Sequence, residues 1–93
     1  MSSNVVTTFQ AKPDQVNFLL EFLTDLQDRI IDAGALTASL MQDQNDPARF
    51  VELDVWLSAD EHRNFFKAAS AAGEFRTLDA LLLIPLQTRP TAW

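Results

Sequence analysis

From Asp46 to His62 the sequence leaves the chain little freedom. Asp46-Pro47 is a turn, and Arg49 to Leu57 alternates with the period of a strand. The alternation puts Val51, Leu53, Val55 and Leu57 on one face and Phe50, Glu52, Asp54 and Trp56 on the other. Ser58-Ala59-Asp60-Glu61 follows at once as a capping box: the serine accepts from a free amide and the glutamate reaches back. The chain's only histidine, His62, sits in the first turn of the helix that this cap starts. A strand that runs directly into a helix must fold that helix back over one of its faces. A titratable ring is thereby held close to a tryptophan and two strand carboxylates.

The flanking segments supply the remaining elements. Asn4 to Ala11, rich in Val, Thr and Phe, predicts a first strand, ended by Lys12-Pro13. Asp14 is placed to cap a helix that begins near Val16 and carries Leu19, Leu20, Leu23, Leu26 and Ile30 at helical spacing. Its opposite face is Asn17, Glu21, Asp25, Asp28 and Asp32, a solvated face, and Gly34 stops it. Ala35 to Gln42 predicts a second strand, and Asp43 to Pro47 are turn residues. The second helix is expected over Ala59–Ala72, with His62, Phe65, Phe66 and Ala69 as its stripe and Gly73 as its end. Thr77 to Asp79 reads as a connection, Ala80 to Gln87 as a fourth strand, and Arg89 to Trp93 as a tail.

Length and charge narrow the function classes. Ninety-three residues make one domain, and an apolar content of 47% is enough for a core. The net charge of -6, with basic residues scattered, argues against nucleic-acid binding. The longest apolar run, Ala80 to Leu86, is too short to span a bilayer. Met1-Ser2-Ser3-Asn4 lacks a basic n-region, and there is no cysteine. A cytoplasmic location is therefore expected. With no second histidine or cysteine to join it, His62 is not expected to bind metal. Two glycines leave no phosphate-binding loop.

The order βαββαβ has a compact solution: a four-stranded antiparallel sheet with both helices on one face, the ferredoxin-like α+β arrangement. Whichever face looks away from the helices carries Val, Leu, Phe or Trp, too apolar to leave in water. A homodimer packed sheet to sheet through a two-fold contact is the expected remedy.

Taken in order, Lys12-Pro13, Ala33-Gly34-Ala35, Asp46-Pro47, Phe50-Val51, Asp54-Val55-Trp56 and Ser58-Ala59-Asp60-Glu61 resemble the antibiotic biosynthesis monooxygenase domain of the dimeric α+β barrel superfamily. The resemblance spans roughly Val5 to Leu86. It implies a homodimer with a pocket between helices and sheet in each subunit. It also implies oxidation of a phenol, quinol or polyketide by molecular oxygen, with no metal or flavin. The runner-up is a non-catalytic dimer that binds a small aromatic ligand or only assembles. Haem-degrading relatives carry a histidine near Phe75, a tryptophan near Phe65 and an asparagine near Thr7, and none matches here. Many quinol-oxidising relatives place a histidine near Phe65, which also departs.

The candidate catalytic residues are His62 and Trp56. A neutral imidazole can take a phenol proton near neutral pH, or His62 can simply pack. The Trp56 indole can stack on or hydrogen-bond a flat substrate, or serve as a core or interface anchor. Glu52, Asp54, Phe65 and Thr7 are the candidate substrate contacts. The two carboxylates can have raised pKa values beside apolar rings, or pair with Arg49, Arg63 or Arg76. Phe65 and Phe66 can equally be core.

Overall fold

The computed structural model describes residues 2–84 and 87–91. Its elements are β1 (Ser3–Gln10), α1 (Val16–Asp32), β2 (Thr37–Gln42), β3 (Arg49–Trp56), α2 (Ala59–Ala71), α3 (Glu74–Leu81) and β4 (Gln87–Thr91). The strands form one antiparallel sheet in the order β2-β3-β1-β4. This is the expected α+β, ferredoxin-like fold.

Local chemistry accounts for the boundaries. Leu19, Leu23 and Ile30 form the buried stripe of α1, while Asn17, Glu21, Asp25, Asp28 and Asp32 are exposed, as expected of a solvated face. Leu20, assigned to the apolar stripe from its spacing, is instead 38% exposed. Asp14 does not cap the helix; Gln15 stands at that position without a side-chain cap bond. Gly34, at φ 115°, lets the chain reverse. Its N–H then donates to the Ile31 carbonyl, and the Ala35 N–H donates to that of Ile30. At α2 the serine half of the capping box forms, with the Glu61 N–H donating to Ser58 Oγ at 3.3 Å. Glu61 Oε2 is buried without a partner and stands 3.5 Å from where a Cβ on Gly34 would be.

The chain departs from expectation after Gly73. That residue, at φ 78°, turns the end of α2 straight into a third helix. Thr77 to Asp79, read as a connection, lies inside α3, and Ala80 and Leu81 finish the helix rather than open a strand. The reason is periodic. Phe75 and Leu78 recur at helical spacing and face the sheet, and leucine is a better helix former than strand former. Leu82 then bridges to Ala11, and the Leu83 N–H donates to the Gln10 carbonyl. The fourth strand is Gln87–Thr91, so Arg89 to Thr91 belong to the sheet instead of a tail. Pro85, Leu86, Ala92 and Trp93 lie outside the described residues. Pro90 is compatible with this strand because β4 is an edge, where one side makes no ladder.

All three helices cover one face of the sheet. Phe9, Phe50, Leu19, Leu23 and Leu78 form one buried cluster, and Val5, Ile30, Ala35 and Trp56 form a second. The opposite face carries half-buried Val6, Val51, Leu53 and Val55 and exposed Met41. Val6 pairs with Leu53, and Met41 with Val51, so these side chains form one continuous apolar band. Among the described residues no helix is long and apolar enough to cross a membrane.

Candidate functional site

Strand β3 lies inside the sheet, and its helix-facing side chains are Phe50, Glu52, Asp54 and Trp56, all buried. Glu52 is 2% exposed and Asp54 1%. Their sheet neighbours are uncharged: Thr7 and Leu40 flank Glu52, and Val5 and Ala38 flank Asp54. None of the expected arginine partners arrives. Among the described residues the ion pairs are Arg63–Asp60, Arg29–Asp25 and Arg29–Glu74, so pairing with Arg49, Arg63 or Arg76 is corrected.

Two buried carboxylates without a counter-ion cannot both stay charged. Burial pushes the Glu52 carboxyl up to about 9, and the neighbouring Asp54 charge adds to the rise. Burial likewise lifts Asp54 to about 6, opposed by a hydrogen bond from Glu52. At neutral pH the pair therefore holds one proton, donated by Glu52 to Asp54. Glu52 Oε2 and Asp54 Oδ1 are both buried and receive no hydrogen bond from an N–H or O–H among the described residues.

Above Glu52 the helices leave a small cavity. Helix α1 contributes Phe22, Leu26 and Ile30; α2 contributes Phe65, Phe66 and Ala69; α3 contributes Glu74, Phe75 and Leu78. Thr7, Phe9 and Glu52 form its floor. The enclosed space is about 20 Å³, room for about one water. A flat aromatic can enter only if phenylalanine rings turn aside. Phe65, Phe66 and Phe75 are half-buried, and Phe66 and Phe75 stack at 5.4 Å. At the rim Glu74 is paired to Arg29, tying α3 to α1.

Trp56 lies one step along β3. It is fully buried, and its Nε1–H has no acceptor among the described residues. Its ring is 5.6 Å from Phe65 and 5.7 Å, edge-on, from His62. His62 in turn sits 4.4 Å from Phe66. Burial lowers its pKa, so the imidazole is neutral at neutral pH, and Nε2 is buried without a partner. The structure thus brings Thr7, Glu52 and Phe65 to the cavity and Asp54 against Glu52. Trp56 and His62 stand beside the cavity and not in its lining. The sequence reading missed Phe22, Glu74 and Phe75. Phe22 was available from α1, since it lies three residues after Leu19 and four before Leu26. Among the described residues no three His, Cys, Asp or Glu side chains converge as a metal site requires.

The fold is shared with proteins of low identity. SnoaB, a cofactor-independent oxygenase from Streptomyces nogalater, superposes with a TM-score of 0.85 at 13% identity, covering 99% of this chain and 92% of that one. The Mycobacterium tuberculosis protein Rv0793 gives 0.88 at 15% identity, over 100% and 95%. PA3566 of Pseudomonas aeruginosa gives 0.85 at 20% identity, over 99% and 93%. No curated protein matches the sequence. The model of the antibiotic biosynthesis monooxygenase family matches residues 3–76, which hold β1 through the start of α3 and every strand and helix residue of the β3–α2 site. The chain belongs to the antibiotic biosynthesis monooxygenase family.

Proposed function

We propose that this protein is a cofactor-independent monooxygenase that oxidises a small aromatic substrate, a phenol, quinol or polyketide-like molecule, with molecular oxygen. The observation that carries the reading is an aromatic-walled cavity closed over a buried, partly protonated carboxyl on β3. Such a chamber is mostly apolar and presents a few polar groups, Thr7, Glu52 and Glu74, to a flat ring, the arrangement small-ligand sites commonly use. Family membership and the fold shared with SnoaB support it. Trp56, outside the lining, is proposed to orient the ring through its indole N–H once Phe65, which packs against it, turns aside. Two groups contend for the substrate proton: neutral His62, and the Glu52–Asp54 pair. Oxygen consumption against a panel of hydroquinones and anthrones tests the function. Uptake above the autoxidation rate supports it, and no uptake across the panel rejects it.

A second reading, a non-catalytic ligand-binding or assembly domain, is favoured by the size of the cavity, about 20 Å³ with the rings as they stand. Under that reading aromatic ligands bind without oxygen uptake.

In either case the protein is proposed to work as a homodimer through the free sheet face. Val6, Val51, Leu53, Val55 and Met41 form an apolar band that a second copy would cover. Sedimentation should give about twice the chain mass of 10.4 kDa. Leu53→Asp, placing a charge at the middle of the band, should give a monomer. A wild type that sediments as a folded monomer rejects this contact.

A further inference from the structure

Resting on the oxygenase reading, we propose that Glu52 and Asp54 form a proton relay that takes the hydroxyl proton of a flat phenolic substrate seated in the cavity. Glu52 lines that cavity, is 98% buried by its 2% exposure, and has one oxygen, Oε2, without a partner. Asp54 is not in the lining; it is two residues on along the same buried face of β3, near enough for its carboxyl to act on that of Glu52. A substrate hydroxyl can therefore reach Glu52 and not Asp54.

The transfer balances without an added reactant. The substrate O–H bond breaks, its electron pair stays on the substrate oxygen, and the proton bonds to Glu52 Oε2. In concert, the proton already on Glu52 moves across the shared hydrogen bond to Asp54. The dyad begins with one proton and ends with two; the single negative charge moves from Asp54 to the substrate as a phenolate. Glu52 is never left as an anion, which its burial would penalise most. Asp54, lifted toward neutrality by burial, is a stronger base than an exposed aspartate and is matched to neutral pH. The electron-rich phenolate is the species from which oxygen can draw an electron.

Among the described residues few other charges bear on the pair. Val5, Thr7, Ala38 and Leu40 beside it are uncharged. On α1 and α3, Arg29 and Glu74 neutralise each other at the rim. On α2, His62 is neutral and Glu61 lies toward Gly34.

Glu52→Gln and Asp54→Asn separate binding from transfer. A glutamine keeps both hydrogen bonds, its carbonyl accepting from the phenol and its amide donating to Asp54, but cannot pass a proton on. The probe is para-nitrophenol, titrated at a pH just below its own pKa, where the free probe is mostly neutral and the bound phenolate shows as a yellow absorption band. Wild type is expected to bind it as the phenolate. Both variants are expected to bind it within a few-fold of the wild-type affinity and hold it as the neutral phenol. Circular dichroism checks that they remain folded. Turnover of any oxidised substrate should fall by about 10²- to 10⁴-fold in each. A phenolate band that survives in Glu52→Gln, a neutral probe bound to wild type, or no bound probe overturns the relay. So does a band lost in His62→Ala yet kept in Glu52→Gln, which gives the proton to the imidazole. Bound phenolate without oxygen uptake sinks the oxygenase and leaves the relay; oxygen uptake undiminished in both variants does the reverse.

Discussion

Trp56→Ala should destabilise the protein by about 3–5 kcal/mol, the usual cost of emptying a large aromatic site in a core. Trp56 has no exposed surface and joins Val5, Ile30 and Ala35 in one cluster, with Phe65 packed against it. It is where β3, α1 and α2 meet. Domains of this kind are stable by only about 5–15 kcal/mol in total, so the variant should melt about 15 °C lower or more. Trp56→Phe should behave differently. It keeps most of the ring and removes an indole N–H that has no acceptor among the described residues, a group whose burial is itself unfavourable. A loss of about 1 kcal/mol is expected. Thermal melts followed by circular dichroism measure both. If Trp56→Ala melts within a few degrees of wild type, Trp56 is not a core anchor. If Trp56→Phe stays folded but loses affinity for aromatic ligands, the free N–H is the group that orients them.

The dual character of Trp56 shows how far the sequence could be read. Period-two alternation in Arg49 to Leu57 was sufficient to group Phe50, Glu52, Asp54 and Trp56 on one face, and the Ser58 cap brought His62 back over that face. These are local consequences of strand geometry and helix capping, so they are legible from spacing alone. The charge state of Glu52 and Asp54 is not local. It depends on whether a distant arginine arrives, and the chain spends Arg63 on Asp60 and leaves Arg49 and Arg76 exposed. The lining of the cavity was hidden for a related reason. Glu74 and Phe75 belong to a helix whose end the leucine run after Asp79 disguised as a strand: Leu81 closes the helix, Leu82 is buried at a bridge, and Leu83 and Ile84 are exposed. The true fourth strand, Gln87–Thr91, carries no apolar alternation to announce it. Edge strands need only backbone pairing on one side, and β1 supplies it.

The buried dyad also leaves a signature in the stability of the fold, with or without substrate. Both carboxyls have folded pKa values raised above their ordinary ones, to about 9 for Glu52 and about 6 for Asp54. The unfolded chain releases both protons near the ordinary carboxylate range, while the folded chain holds them longer. Wherever the native state binds more protons, stability falls as pH rises. Between about pH 6 and pH 9 the excess is one proton, on Glu52, and the expected slope is about -1.4 kcal/mol per pH unit. His62 acts with the opposite sign: its folded pKa is lowered, so it costs stability only below its ordinary value and contributes no slope above neutrality. The interval from pH 7 to 9 is therefore governed by Glu52. Wild type should lose about 2 kcal/mol across it, Glu52 being half-ionised by pH 9, a fall in Tm of about 8–16 °C. Glu52→Gln has no proton to lose, so its Tm should be nearly flat over the same interval. It should be the more stable protein at pH 9 and approach the wild type as the pH falls. Melts at a series of pH values read this directly. A wild-type profile as flat as that of Glu52→Gln would mean that Glu52 is already ionised at neutrality, and the protonated carboxyl on the cavity floor would have to be abandoned.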